Sequence, residues 1–170
     1  LRIYDRGRAH VPAFLDDHAS MLDACLELLP DCDIFIACAA VADYRPVETQ
    51  PQKMKKGAEK MTLHLVRNPD IVATVAGADP RPFTVGFAAE TNNLERYARQ
   101  KLMDKRLDMI AANRVDDPDS GFEVDQNALS VYWQDGSQQL ARQPKNLIAR
   151  QLIDIIARAY RQAADESETA

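Results

Sequence analysis

The chain has 170 residues, 46% hydrophobic and 28% charged, which fits one ordinary globular domain long enough to bury a core. Its formal charge of −5 gives bulk electrostatics no pull toward nucleic acid or an anionic membrane, so any phosphate-bearing ligand needs a local basic cluster. Cys25, Cys32 and Cys38 form no C-x-x-C pair and His10, His18 and His64 are scattered, which argues against a disulfide framework or a zinc site and for reduced thiols in a cytoplasmic protein.

Residues 1–19 show no sustained period and read as an extended lead-in. "SMLDACLELL" then places Met21, Leu22, Cys25, Leu28 and Leu29 on one helical face, with Ser20 as a cap candidate and Pro30 as the stop. "DIFIACAA" is a continuous apolar run, as in a strand covered on both faces. The polar stretch 43–60, with Pro46, Pro51, Gly57 and "KMKK", reads as a mobile loop. "MTLHLV" alternates like a half-buried strand. "NPDIVATVAG" opens a helix: Asn68 can cap, Pro69 suits the first position, Asp70 complements the dipole and Gly77 can end it. "FTVGFAA" is a second buried strand. "NLERYARQKLMDKRL" is a helix with Leu94, Ala98 and Leu102 inward, and "DMIAAN" is the next strand. "ALSVYWQDGSQQL" reads as a hairpin with Leu129, Val131 and Trp133 on one face and Asp135-Gly136 in the turn. "KNLIARQLIDIIARAY" closes the fold with Leu147, Ile148, Leu152, Ile155, Ile156 and Ala159 inward. The tail 164–170 is expected to be disordered. Alternating strands and helices predict an α/β fold, a Rossmann-like three-layer sandwich with a mainly parallel sheet plus an added β-hairpin.

No apolar stretch approaches the roughly 20 residues of a membrane helix, and no signal-peptide pattern opens the chain, which starts at Leu1 and reads as a fragment. In an open parallel sheet, ligands bind beyond the carboxyl ends of the strands. Here those ends lead into Cys38–Pro46, Ala88–Asn93 and Asn113–Asp117, which should converge on one edge. Asp43 is either a ligand-orienting carboxylate or the cap of a turn. Arg45 either pairs with Asp43 or holds a phosphate. Lys53, Lys55 and Lys56 can fold over a polyphosphate or simply be solvated. Lys101 and Lys105 share a helix face with Tyr97 and can bind one anion, or be surface lysines near a helix end. The helix start at "NPDIV" either offers N–H groups to a phosphate or to polar base edges or is simply a well-formed helix start with Asp70 as part of it, and Phe87 can stack on a base or belong to the core. There is no G-x-G-x-x-G, Walker loop or G-x-S-x-G.

"ACAAVADYRP", "KMKK", "RNPDIVA", "VGFAAETNN", "YARQKLMDKRLDMIAAN" and "NALSVYWQDG" occur in one order. Together they resemble bacterial phosphopantothenoylcysteine synthetase, the C-terminal half of the bifunctional coenzyme A biosynthesis flavoprotein. The resemblance implies a synthetase domain over 20–163 that joins 4′-phosphopantothenate to cysteine through an acyl-cytidylate made from CTP. It implies that Ala37, Cys38 and Ala39 lie at the nucleotide, that Asp43 contacts it, and that the flap residue Lys53 assists the intermediate. It places Pro69, Asp70, Ile71 and Val72 at the nucleotide, Phe87 near the base, and Lys101 and Lys105 on phosphate. Mg²⁺ is expected with CTP, with ligands unassigned, and no FMN in this chain. The implied partners are a second copy, with contacts expected at the 127–140 hairpin, and a flavoprotein decarboxylase domain in the full-length protein. The lead-in 1–19 lacks the strand, glycine-rich turn and asparagine segment that open the family's domain, so an empty sheet position is expected. A CTP-binding module without catalysis is therefore the alternative. A dehydrogenase-like domain is disfavoured by the missing glycine fingerprint.

Overall fold

The computed structural model describes residues 4–5, 8–9, 18–48, 52, 59–115 and 125–169. A short antiparallel pair, β1 (Tyr4–Asp5) and β2 (Arg8–Ala9), precedes helix α1 (His18–Leu28). Then come β3 (Ile34–Ile36), an antiparallel ribbon of β4 (Tyr44–Pro46) and β5 (Leu65–Arg67), and helix α2 (Ile71–Ala76). Strand β6 (Phe83–Glu90), helix α3 (Leu94–Asp104) and strand β7 (Met109–Arg114) form the centre. The hairpin β8 (Gln126–Trp133) and β9 (Gly136–Pro144) and the long helix α4 (Lys145–Thr169) complete the order.

Among the described residues the main sheet runs β3-β6-β7-β8-β9, with β3, β6 and β7 parallel and the hairpin antiparallel. This is the expected α/β architecture, and the alternation along the central strands builds it. Val85, Met109, Ala111 and Val131 face Ile148, Leu152, Ile155 and Ile156 of α4. Ala88, Ile110, Ala112 and Tyr132 face Ala98 and Leu102 of α3. Strands buried on both faces favour apolar residues, which is why the centres of β6 and β7, Val85–Ala88 and Met109–Ala112, read as hydrophobic runs. A third cluster joins Cys25 and Leu29 to Ile71 and Val75, tying α1 to α2.

Several local expectations are corrected. β3 is an edge strand of three half-buried residues, not a strand covered on both faces. The helix begins at His18, so Ser20 lies inside it, and Pro30 sits in a 3-10 turn that extends it. "MTLHLV" is exposed: of it only Leu65 and Val66 are strand, in β5 paired with β4, because no layer among the described residues covers the ribbon. Asn68 does not cap α2. Asp70 does, its carboxylate accepting from the Ala73 N–H at 3.1 Å. In the hairpin Trp133 pairs with Gly136, so Gln134 and Asp135 form the turn. Gly136 is needed there because a Cβ would lie 2.6 Å from the Trp133 ring. Leu147 is exposed rather than inward. The tail expected to be disordered continues α4 to Thr169, consistent with the helix-forming Ala163, Ala164 and Glu166.

Candidate functional site

A cleft of about 220 Å³ opens beyond the end of β3, beside the middle of β6. Its floor is made by small residues and turns of backbone. Ala37 continues β3, its N–H donating to the Val85 carbonyl at 2.9 Å, and Ala39, Ala40 and Ala42 follow. With no side chain longer than a methyl, these positions let a ligand approach the backbone closely. Gly86 and Phe87 supply the β6 wall. Gly86 is glycine for packing reasons: a Cβ there would sit 2.6 Å from Leu107 Cδ1.

The opposite wall is the entry to α2. Asn68 is buried and locks this corner: its Nδ2 donates to the Ala42 carbonyl at 2.7 Å, and its Oδ1 accepts from Arg45 Nη1 at 2.7 Å. The Asn68 N–H also donates to the Asp43 carbonyl at 2.8 Å. The loop that carries Asp43 is thereby held against the start of α2. Arg45 reaches into this corner through Nη1, and of the two roles the sequence had left open it does not take the ion pair with Asp43.

Lys101 of α3 and Lys105, the residue that caps its C-terminus, close the site. Lys105 Nζ lies 2.8 Å from Asp70 Oδ2, and Lys101 Nζ lies 2.6 Å from Glu90 Oε1. The lysines line one cleft, yet each is held by its own carboxylate. An entering anion therefore has to share or displace those partners. Burial pulls the Asp70 carboxyl upward, but hydrogen bonds from Lys105, Ala73 and Val72 and the Lys105 charge outweigh it and hold it below the ordinary range. Of the two readings of "NPDIV", the same bonds show the helix start with Asp70 as part of it.

Of the residues expected at a nucleotide, the structure brings Ala37, Ala39, Asp43, Pro69, Asp70, Ile71, Val72, Phe87, Lys101 and Lys105 to this cleft. Cys38, between Ala37 and Ala39, lines the two adjoining hollows instead. Lys53 lies outside the described residues. Tyr97 shares the α3 row with the lysines but does not line the cleft. Sequence reasoning missed Glu90 and the Asn68 corner, and also His18, Leu107 and Ile110, which line the cleft. Glu90 could have been suspected from "AAETNN", a strand end next to the site. Cys25, Cys32 and Cys38 are free thiols, and burial pushes the Cys25 and Cys32 thiols up, so both stay protonated at neutral pH. Among the described residues no group of three His, Cys, Asp or Glu could hold a metal ion, and no helix is long and apolar enough to cross a membrane.

Residues 15–160 match the model of the DFP family, described as DNA/pantothenate metabolism flavoprotein C-terminal domain. The chain belongs to this family. The DFP domain here is 52% identical over 132 residues to the coenzyme A biosynthesis bifunctional protein CoaBC of Escherichia coli (strain K12), a match covering 75% of this chain and 32% of that protein. It is 46% identical over 142 residues to CoaBC of Vibrio vulnificus (strain CMCP6), covering 82% and 35%. A solved structure of the C-terminal domain of CoaBC superposes with a TM-score of 0.65 at 31% identity, covering 86% of this chain and 63% of that one. The DFP domain thus spans about a third of the length of the curated relatives it matches.

Proposed function

We propose that this chain carries the phosphopantothenate–cysteine ligase step of coenzyme A biosynthesis, with CTP as the activating nucleotide. The observation that carries the reading is the cleft itself. Segments far apart in sequence, from Ala37 to Lys105, converge on one strand-end pocket with small residues on its floor and two ammonium groups on its wall. Membership of the DFP family, and relatives named for coenzyme A biosynthesis, support the substrate class.

In this reading the carboxylate of 4′-phosphopantothenate attacks the α-phosphorus of CTP, and pyrophosphate leaves. The amine of cysteine then attacks the acyl carbon of the acyl-cytidylate, loses a proton and expels CMP. Ala37 and Ala39 let the nucleotide lie against the strand end, with Cys38 contributing backbone alone. Phe87 flanks the base, and Asp43 and the Pro69–Val72 turn border the nucleotide. Lys101 and Lys105 hold phosphate oxygens through charge-assisted hydrogen bonds. Lys53 reaches the intermediate from the flap. Mg²⁺ arrives on the CTP phosphates as part of the substrate, since the described residues offer no cage of their own and Mg²⁺ commonly binds through few protein ligands. The reading further makes the chain a cytoplasmic homodimer joined, in the full-length protein, to a flavoprotein decarboxylase domain.

The test combines calorimetric titration with CTP·Mg²⁺, against ATP·Mg²⁺, and an assay of CMP release with 4′-phosphopantothenate and cysteine. Saturable binding favouring CTP, with CMP release that needs both co-substrates, is expected. CTP binding without CMP release would replace the ligase reading with that of a nucleotide-binding module. No nucleotide binding by the folded chain would remove both.

A further inference from the structure

We propose that Glu90 is a positioning residue of the cleft, which holds the Lys101 ammonium in place for a phosphate. The inference deepens the nucleotide reading and rests on it. Glu90 ends β6, where its Cα is in register with Arg114 of β7 and its carbonyl accepts from the Val115 N–H at 3.2 Å. The backbone that carries the carboxylate is therefore pinned to the sheet. The Glu90 side chain is only 16% exposed, and its Oε1 meets Lys101 Nζ at 2.6 Å. Lys101 is 44% exposed and lines the cleft, whereas Glu90 does not line it. Any contact-borne influence of Glu90 on a ligand in the cleft runs through Lys101.

An ammonium has three protons to donate. Glu90 takes one and fixes the direction of the other two, so a phosphate meets a lysine whose rotamer is already selected. Ordering a free, rotamer-rich side chain on binding costs about 0.5–1.5 kcal/mol, equivalent to about a 2- to 12-fold change in affinity. The second couple of the site is different. Asp70 lines the cleft itself, so a substitution there mixes direct contact with the positioning of Lys105. Glu90 separates the two effects. Its negative charge also opposes a nearby phosphate, so the useful property is the acceptor oxygen and not the charge.

The experiment is a double-mutant cycle read by calorimetry with two probes, CTP·Mg²⁺ and inorganic pyrophosphate. The proteins are the unsubstituted chain, Glu90→Ala, Glu90→Gln, Lys101→Ala and Glu90→Ala/Lys101→Ala, with circular dichroism to establish folding. Glu90→Ala should weaken both probes by about 2- to 10-fold. Glu90→Gln retains an acceptor oxygen and should stay within about twofold of the unsubstituted chain. In the Lys101→Ala background, Glu90→Ala should cause no further loss. An equal loss in that background would mean that Glu90 acts through strand and helix packing, and no loss in either background would also overturn the proposal. If Glu90→Ala does not fold, Glu90→Asp, which withdraws the carboxylate by one methylene, completes the same cycle. Binding of pyrophosphate without CTP would sink the nucleotide reading alone, leaving the Glu90 coupling to be judged on pyrophosphate. Binding of neither would overturn both.

Discussion

Asp70 performs three separable tasks, and replacing it tests the geometry of the cleft. It caps α2 through the Ala73 N–H, it pairs with Lys105 at 2.8 Å, and it forms part of the cleft wall. Loss of an N-cap costs about 1 kcal/mol. The Lys105 pair, with both side chains 35% exposed, is worth about 0.2–1 kcal/mol after solvent screening. Asp70→Ala should therefore cost about 1–2 kcal/mol, and α2 anchors the buried Ile71, Val75 and Ala76, so the loss is felt by the whole unit. At about 2–4 °C per kcal/mol for a chain of this size, Tm should fall by about 2–8 °C. Asp70→Asn keeps a capping oxygen and should lose only the ion-pair part. The depressed Asp70 carboxyl sets the pH dependence. Its stabilisation is complete above the unfolded value of about 3.9 and is lost as pH falls through the lower folded value. Thermal unfolding followed by circular dichroism should thus show the full Asp70→Ala gap at neutral pH and a closing gap in acid below about pH 4. Equal losses for Asp70→Asn and Asp70→Ala would refute the assignment of the cap as the larger contribution. A gap independent of pH would refute the ionic part.

Three further outcomes are expected. Lys101→Ala combined with Lys105→Ala should weaken CTP binding by at least about tenfold in calorimetry, because two charge-assisted contacts to phosphate are removed; unchanged affinity would make both lysines surface charges serving only Glu90 and Asp70. Lys53→Ala should slow turnover more than it weakens CTP binding, as for a group engaged mainly at the intermediate, and an equal loss in both would place Lys53 in the ground-state site. Gly86→Ala should cost about 1–3 kcal/mol in denaturant unfolding, since its Cβ would lie 2.6 Å from Leu107 Cδ1, and it should lower CTP affinity because Leu107 is also a cleft wall; stability within about 0.3 kcal/mol of the parent would show that Leu107 swings aside freely.

Much of this molecule was legible in its residues. "FTVGFAA" read as a buried strand and "DMIAAN" as the next one, because their apolar runs show no polar alternation, and both are central strands of the sheet. Leu94, Ala98 and Leu102 at four-residue spacing fixed the inward side of α3, which also placed Lys101 and Lys105 together on one flank. The small residues after "DIFI" and the rule that ligands bind at strand carboxyl ends pointed to the right edge of the sheet. Periodicity, propensity and chain direction are local properties, and they sufficed for these elements.

Other features depend on which segments meet. Asn68, next to Pro69, had the composition of a helix cap, but a buried amide serves the partners that surround it, and here those are Ala42 and the β4 residue Arg45, more than twenty residues away. "MTLHLV" alternates as a half-buried strand does, yet alternation cannot say whether a second layer exists, and none covers it among the described residues. Spacing recorded only that the two lysines are neighbours, and left open whether they bind one anion or are surface charges near a helix end. That Asp70 caps α2 and holds Lys105, while Glu90 reaches Lys101 from the end of β6, follows from the packing of α3 across three elements. The order of helices and strands was thus set by local sequence, and the partners of the charged groups in the cleft were decided by tertiary structure, because an ionisable side chain is committed by its nearest opposite charge in space and not by its neighbours along the chain.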